Sequence, residues 1–183
     1  MISTKAAVRQ SLLDARRSLA TCQGVLDAAR ATQQVQQARR VALYVSTGPE
    51  PQTGSLIDWL LAGDHEVLLP ILYADNDLGW GLAPGAADLV PGRLGLSEPR
   101  VDLGSEAIAT ADLVICPALA VDRTGVRLGR GGGSYDRALT RVPAGVPVWA
   151  AVYDNEIFDQ LPSDPHDRPV HAALTPGGLV QLT

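Results

Sequence analysis

The chain has 183 residues, a formal charge of −5 and 19% charged residues. That length favours a single domain over residues 1–183 and is enough to bury a core without staples. The mild acidity argues against nucleic acid or an anionic membrane as the main partner, so a polyanionic ligand must be met by a local basic patch.

Residues 1–17 are polar and basic with no apolar targeting core, and no later stretch approaches a membrane span. A soluble monomer of the reducing cytoplasm is expected. Val8, Leu12, Ala15 and Leu19 recur at three- and four-residue steps, which predicts an amphipathic helix from Lys5 to about residue 20, capped by Ser3 or Thr4. A second helix, rich in Ala and Gln, is predicted over residues 23–40. Val41-Ala42-Leu43-Tyr44-Val45 then reads as a buried strand before the turn Ser46-Thr47-Gly48-Pro49. Thr53 caps a helix through Leu61, which Gly63 ends. Glu66-Val67-Leu68-Leu69 is the next strand, stopped by Pro70.

Residues 73–104 are rich in Gly, Pro and Asp and read as loops with short strands near Trp80 and Leu94. Leu113-Val114-Ile115-Cys116 is another buried strand, with Cys116 a core thiol. The other cysteine, Cys22, lies far away without metal-ligand spacing, so neither a disulfide framework nor a zinc site is expected. A glycine-rich loop follows, then a helix over residues 134–141. Strands are predicted at 148–153, 172–175 and 179–182, with a short helix over 155–161. This alternation predicts an α/β fold: a three-layer sandwich whose mostly parallel open sheet is covered by helices on both faces. Ligands of such sheets bind beyond the carboxyl ends of the strands, which directs attention to the loops at 46–53, at 118–133 and from 154 onward.

The strongest local signal is Arg127-Leu128-Gly129-Arg130-Gly131-Gly132-Gly133-Ser134-Tyr135-Asp136-Arg137. Three consecutive glycines let the backbone approach a ligand closely. A helix start behind them presents free N–H groups, and Arg127 and Arg130 add fixed cations. Together they describe a phosphate cradle. No Gly-Lys-Ser/Thr triplet exists for a Walker A loop. Ser134 stands where a dinucleotide fingerprint has its third Gly or Ala.

With Asp122-Arg123-Thr124-Gly125-Val126 before it, this run closely resembles the signature of 5-formyltetrahydrofolate cyclo-ligases, also called methenyltetrahydrofolate synthetases. The likeness extends along most of the chain. Lys5 and Arg9 match an N-terminal Lys and Arg four apart. Residues 44–53 match a strand-loop element with Glu50 and Thr53 in place. Leu69-Pro70, Glu98-Pro99 and His166-Asp167 match three further short elements.

The resemblance implies an ATP- and Mg2+-dependent cyclisation of 5-formyltetrahydrofolate to 5,10-methenyltetrahydrofolate through a phosphorylated formyl group. It implies ATP contacts from Lys5, Arg9, Arg127, Leu128, Gly129, Arg130, Gly131, Gly132, Gly133, Ser134 and Tyr135. Arg130 is the implied catalytic group. Folate contacts are implied for Val45, Glu50, Arg130, Gly131, Gly132, Gly133 and Ser134, and Mg2+ ligation for Asp136 and Asp167. Glu50 is expected to accept N–H bonds from the pterin edge. His166 and His171 have a titrating side chain but no assigned proton transfer. Two positions depart from the family: Ser134 and Val121 stand where an aromatic residue is usual, both expected near the site, with Trp80 as a candidate to fill the space at Ser134. The alternatives are a non-catalytic folate- or nucleotide-binding paralogue and an RNA-binding module. The intact charged set argues against the first, and the acidity against the second.

Overall fold

Five short apolar runs become adjacent strands whose side chains are buried on both faces. The computed structural model describes residues 4–19, 24–83, 89–164 and 167–182. In chain order, helix α1 (Lys5–Arg17) is followed by α2 (Leu26–Arg30), α3 (Gln33–Gln37), strand β1 (Arg40–Ala42) and α4 (Gly54–Ala62). Strands β2 (Glu66–Leu72), β3 (Leu78–Leu82), β4 (Val90–Pro91) and β5 (Ser97–Glu98) come next. A 3-10 turn (Ser105–Thr110) leads to β6 (Leu113–Pro117), β7 (Ala120–Asp122) and β8 (Arg127–Leu128). Helix α5 (Ser134–Ala138), β9 (Val148–Ala151), β10 (Ile157–Phe158), β11 (Ala172–Thr175) and β12 (Gly178–Gln181) complete the set.

Among the described residues the main sheet has seven strands in the order β12-β11-β9-β6-β1-β2-β3. Its five central strands are parallel, and β12 and β3 are antiparallel edges. Alternate residues face opposite ways. Val41, Leu43, Val67, Leu69, Leu113, Ile115 and Trp149 pack under α2 and α4. Ala42, Leu68, Val114, Cys116, Ala150 and Ala173 pack on the other face against Ile108 of the 3-10 turn, Ala138 of α5 and Leu139. The sheet is therefore covered on both faces, by α-helices on one and mainly by short helical turns on the other. Helix α1 sits apart, with Leu12 against Leu119, Ala120, Leu128 and Leu161 beside the small sheet β10-β7-β8.

Several expectations are corrected. The helix predicted over 23–40 is broken into α2 and α3, because Thr32 turns its hydroxyl and its N–H onto the Ala29 carbonyl, a local bond that competes with helix continuation. Arg40 instead begins β1, paired with Glu66. Pro70 does not end β2. Leu68 directs its carbonyl toward Leu43 at the end of β1, so Pro70, two residues on, turns its nitrogen to the same side. The ladder of β1 has already ended there, and no donor is needed. Residues 155–161 form a 3-10 turn over Asp154–Glu156 and then β10, not a helix. The helix predicted over 134–141 is α in its first five residues and 3-10 thereafter. Thr4 caps α1 through the Ala7 N–H, while Ser3 and Cys22 lie outside the described residues. In α1 the buried positions are Leu12 and Arg16, not Ala15.

Cys116 is the core thiol expected. Its Sγ lies 3.3 Å from the Trp149 carbonyl, and burial pushes its pKa up to about 11, against an opposing pull from Arg127. The folded protein thus holds this proton between pH 9.0 and about 11, where the unfolded chain releases it; the linkage makes stability fall as pH rises through that window. In a Cys22→Ser background, a thiol reagent at pH 8 should leave the native protein unlabelled and label it fully in denaturant. Fast native labelling would show that the strand is open to solvent.

Candidate active site

From β1 the chain runs outward to β2 and β3, then returns to form β6 on the other side of β1. Where the direction of strand addition reverses, loops leaving adjacent strand ends diverge and leave a crevice. A cavity of about 380 Å3 lies here. Tyr44 and Val45 beyond β1, Pro117 at the end of β6, and Ala118 and Leu119 beyond it form its floor. The glycine loop with Ser134, Tyr135 and Asp136 makes one wall. Pro70, Leu72, Leu78 and the turn Leu94-Gly95-Leu96-Ser97 make the opposite one. Lys5 and Arg9 of α1 and Asp167 close a further side.

The loop between β1 and α4 is tied by hydrogen bonds. Thr53, fully buried, accepts the Ser46 N–H at 3.0 Å and donates to the Tyr44 carbonyl at 2.7 Å. It stands at the N-cap position of α4, but its hydroxyl serves the loop and not the helix. Glu50 accepts the Thr47 N–H at 2.8 Å. Its other oxygen lies 3.0 Å from Arg130 NH2, across the cavity. Glu50 is buried, whereas the Arg130 side chain is 53% exposed.

Within the glycine loop, Gly131 and Gly133 have φ of +100° and +70°, a backbone that L side chains rarely adopt. The Arg9 guanidinium packs beside Gly131, 3.5 Å from where a Cβ would stand, and its Nε donates to the Gly129 carbonyl at 2.9 Å. Gly133 in the left-handed region is the N-cap of α5, so Ser134 occupies the first helical turn and makes no capping bond. Residues 129–133 of the loop line the cavity, and the helix behind them has only five residues.

Arg127 is buried and donates to Asp136 at 2.6 Å. Its Nε and the Tyr135 hydroxyl are buried without a partner among the described residues. Burial holds the Tyr135 phenol well above its ordinary pKa, with Cys116 and Glu50 adding to the shift, so it stays neutral. Lys5 contacts Asp167 at 2.6 Å and Asp164 at 2.7 Å. Burial pulls the Lys5 ammonium down, but these two hydrogen bonds and charges outweigh it and leave its pKa raised.

The structure therefore brings Lys5, Arg9, Val45, Glu50, Arg127, Gly129, Arg130, Gly131, Gly132, Gly133, Ser134, Tyr135, Asp136 and Asp167 around one cavity. Leu128 is the exception: its side chain is buried against Leu12 and Leu161. Val121 is also a correction, fully buried in the core of the sheet and not in the cavity lining. Trp80 does not fill the space at Ser134. It is buried behind Tyr135, ring edge to ring face at 6.3 Å. His171 lies at a smaller hollow elsewhere, its Nδ1 accepting the Val148 N–H, and His166 is outside the described residues. Sequence reasoning gave no role to Glu98, which is buried and accepts the Leu72 N–H at 3.0 Å. It fastens the β4–β5 hairpin, whose turn lines the cavity. The only trace of it was the short Glu-Pro element.

A mostly parallel sheet with a glycine-lined cavity carrying Lys5, Arg9, Arg127 and Arg130 at its topological switch point defines the class: an α/β protein with a basic cavity at the carboxyl edge of its sheet. Residues 1–176 match the 5-formyltetrahydrofolate cyclo-ligase family. The chain is 42% identical to a 5-formyltetrahydrofolate cyclo-ligase of Mycolicibacterium smegmatis, over 98% of this chain and 97% of that one. It is 35% identical to the Escherichia coli enzyme of the same name, over 78% of this chain and 80% of that one. The solution structure of 5,10-methenyltetrahydrofolate synthetase from Aquifex aeolicus superposes with a TM-score of 0.83 at 26% identity, covering 97% of this chain and 92% of that one. The chain belongs to the 5-formyltetrahydrofolate cyclo-ligase family.

Thr53→Val keeps the shape of the side chain but strips a hydroxyl that serves two backbone groups, the buried Tyr44 carbonyl and the half-buried Ser46 N–H. We expect a stability loss of about 1–3 kcal/mol, the cost of leaving such groups unpaired, measured by urea denaturation. An unchanged midpoint would show that the Glu50 loop is held by other contacts.

Proposed function

We propose that the protein is an ATP-dependent cyclo-ligase that converts 5-formyltetrahydrofolate to 5,10-methenyltetrahydrofolate, acting as a monomer. Family membership supports the activity. The observation that carries the mechanism is the Arg130–Glu50 contact at 3.0 Å. It joins the cationic glycine loop to the carboxylate loop across one cavity, so a phosphate on one side and a pterin on the other meet at the same residue. All the groups invoked belong to one chain.

The triphosphate lies along the glycine loop, where the amides of residues 129–133 and the guanidiniums of Arg9, Arg127 and Arg130 face it. The unpaired Arg127 Nε supports a ligand there, since a buried donor without a partner is costly and a phosphate oxygen would satisfy it. Glu50 takes the aminopyrimidine edge of the pterin, with Val45 on its face. The formyl oxygen then attacks the γ-phosphorus, the bond to ADP breaks, and the formyl group becomes a phosphorylated imidate. N10 attacks the same carbon and gives up its proton to solvent, and inorganic phosphate leaves with the former formyl oxygen. The chain's contribution is alignment, together with fixed cations beside the transferring group. Tyr135, held neutral, can donate a hydrogen bond but is not an acid–base group for these steps.

Among the described residues, no group of three or more His, Cys, Asp or Glu could hold a metal unaided. This suits Mg2+, which takes one or two carboxylates and completes its shell with phosphate oxygens and water. Asp136 and Asp167 both line the cavity and are the residues that would hold it. When bound, Mg2+ would neutralise charge on the triphosphate.

The test is the methenyl chromophore formed from 5-formyltetrahydrofolate with and without Mg·ATP. Absence of product alongside intact nucleotide binding would select the non-catalytic paralogue. Asp136→Asn should lower turnover by orders of magnitude under limiting Mg2+; wild-type turnover would remove Asp136 from the metal site.

Arg130→Ala should cost more than Arg127→Lys. Arg130 is the cation poised between the two ligands, and an arginine on a transferring phosphate contributes roughly 10³-fold or more in rate. Normal turnover of Arg130→Ala would reduce it to a surface charge.

A further inference from the structure

Arg16 and Glu156 form a buried ion pair that does not line the cavity. Arg16 is 2% exposed and Glu156 4%. The guanidinium grips the carboxylate with two bonds, Nε to Oε1 at 2.7 Å and NH2 to Oε2 at 2.6 Å. Its NH2 also donates to the Ala118 carbonyl at 2.7 Å. A buried pair of this kind is weak evidence for stability, because desolvation offsets most of the attraction. What a forked contact with three fixed bonds does supply is position.

Both ends of the pair lead to the cavity. Along α1, Arg9 and Lys5 precede Arg16 by about two and three helical turns, so all three share one face. Arg9 reaches Gly129 and Lys5 reaches Asp167. On the other side, Glu156 also accepts the Tyr153 N–H at 2.7 Å. The Tyr153 ring lies under the Arg16 guanidinium at 5.4 Å, and its hydroxyl donates to the Pro49 carbonyl. Pro49 immediately precedes Glu50. Ala118 itself is part of the cavity floor.

We propose that Arg16 and Glu156 are a positioning pair that sets the nucleotide-facing helix and the substrate-facing Glu50 loop in register with each other. Neither lines the cavity. The inference rests on the functional reading above for what the two halves bind, and its geometry stands apart from that reading.

Glu156→Gln keeps the shape and removes the charge. It should raise KM for both ATP and 5-formyltetrahydrofolate by about tenfold, the value of one charge-assisted hydrogen bond, with kcat changed less. Arg16→Lys keeps the charge but loses the fork, and should fall between wild type and Glu156→Gln. Tyr153→Phe removes the hydroxyl that reaches the Pro49 carbonyl and keeps the ring under Arg16, so it should raise the folate KM several-fold and the ATP KM much less. All assays are run well below each variant's Tm. A lowered Tm with both KM values unchanged would make the pair merely structural and overturn the proposal. So would a Tyr153→Phe variant whose ATP KM rises as much as its folate KM. Hydrogen exchange of the α1 amides and calorimetric affinity for a non-hydrolysable ATP analogue read the same pair without turnover. Faster exchange and weaker binding in Glu156→Gln are expected, and unchanged values would overturn the proposal even if wild type forms no methenyl product. A wild-type protein that lacks the product but shows these changes would sink the cyclo-ligase reading alone.

Discussion

A cation in a partly dry cavity is costly without a polar partner; here Arg9 donates to the Gly129 carbonyl, and the other three cations are met by carboxylates. Arg127 is paired with Asp136, Lys5 with Asp167, and Arg130 with Glu50. Each pair joins two different pieces of chain: β8 with α5, α1 with the loop before β11, the glycine loop with the loop after β1. Neutrality and assembly are thus one requirement. Without the carboxylates the cations would be too costly to bring together, and without the cations the loops would lack their anchor points. On the proposed reading, ligand binding is an exchange of partners. The triphosphate takes the cations, and the released carboxylates are of the kind that hold a magnesium ion and a pterin edge.

The sheet makes that arrangement reachable. Strands buried on both faces tolerate few polar groups, so the chemistry is confined to loops at their carboxyl ends. The reversal between β1 and β6 gives those loops room. Pro70 illustrates how closely the two demands are combined, since it ends the possibility of further pairing beside β1 and places its ring in the cavity wall.

Much of this was legible because the signal was local. The apolar runs at 41–45, 66–69, 113–116 and 172–175 needed no tertiary information to read as strands, although β1 spans only Arg40–Ala42 and residues 43–45 leave the ladder. The glycine run with its two arginines announced an anion cradle by composition alone. What escaped was non-local. Arg16 sat in a polar-looking helix, and nothing at that position points to Glu156. Strands β7 and β8 are short and read as loop until their pairing is known. Thr53 looked like a helix cap and Thr32 lay unremarked inside a predicted helix, and in both cases the hydroxyl bonds a nearby backbone carbonyl. Leu128 belonged to the cradle by sequence, but alternation within β8 sends its side chain to the core while its neighbour Arg127 faces the ligand space.

The separation between Arg16 and Glu156 is 140 residues, and it bears on how the molecule is made. Strand β1 lies between β2 and β6, so until β6 emerges from the ribosome one of its edges stays open. Helix α1 waits longer, because its buried arginine has no counter-charge until Glu156 is translated. At about 5–20 residues per second that interval is on the order of ten seconds, during which the helix is a free amphipathic segment. Strand β11 of the parallel sheet is translated later still, so the seat of α1 and the last strand of the core are completed together at the end of synthesis.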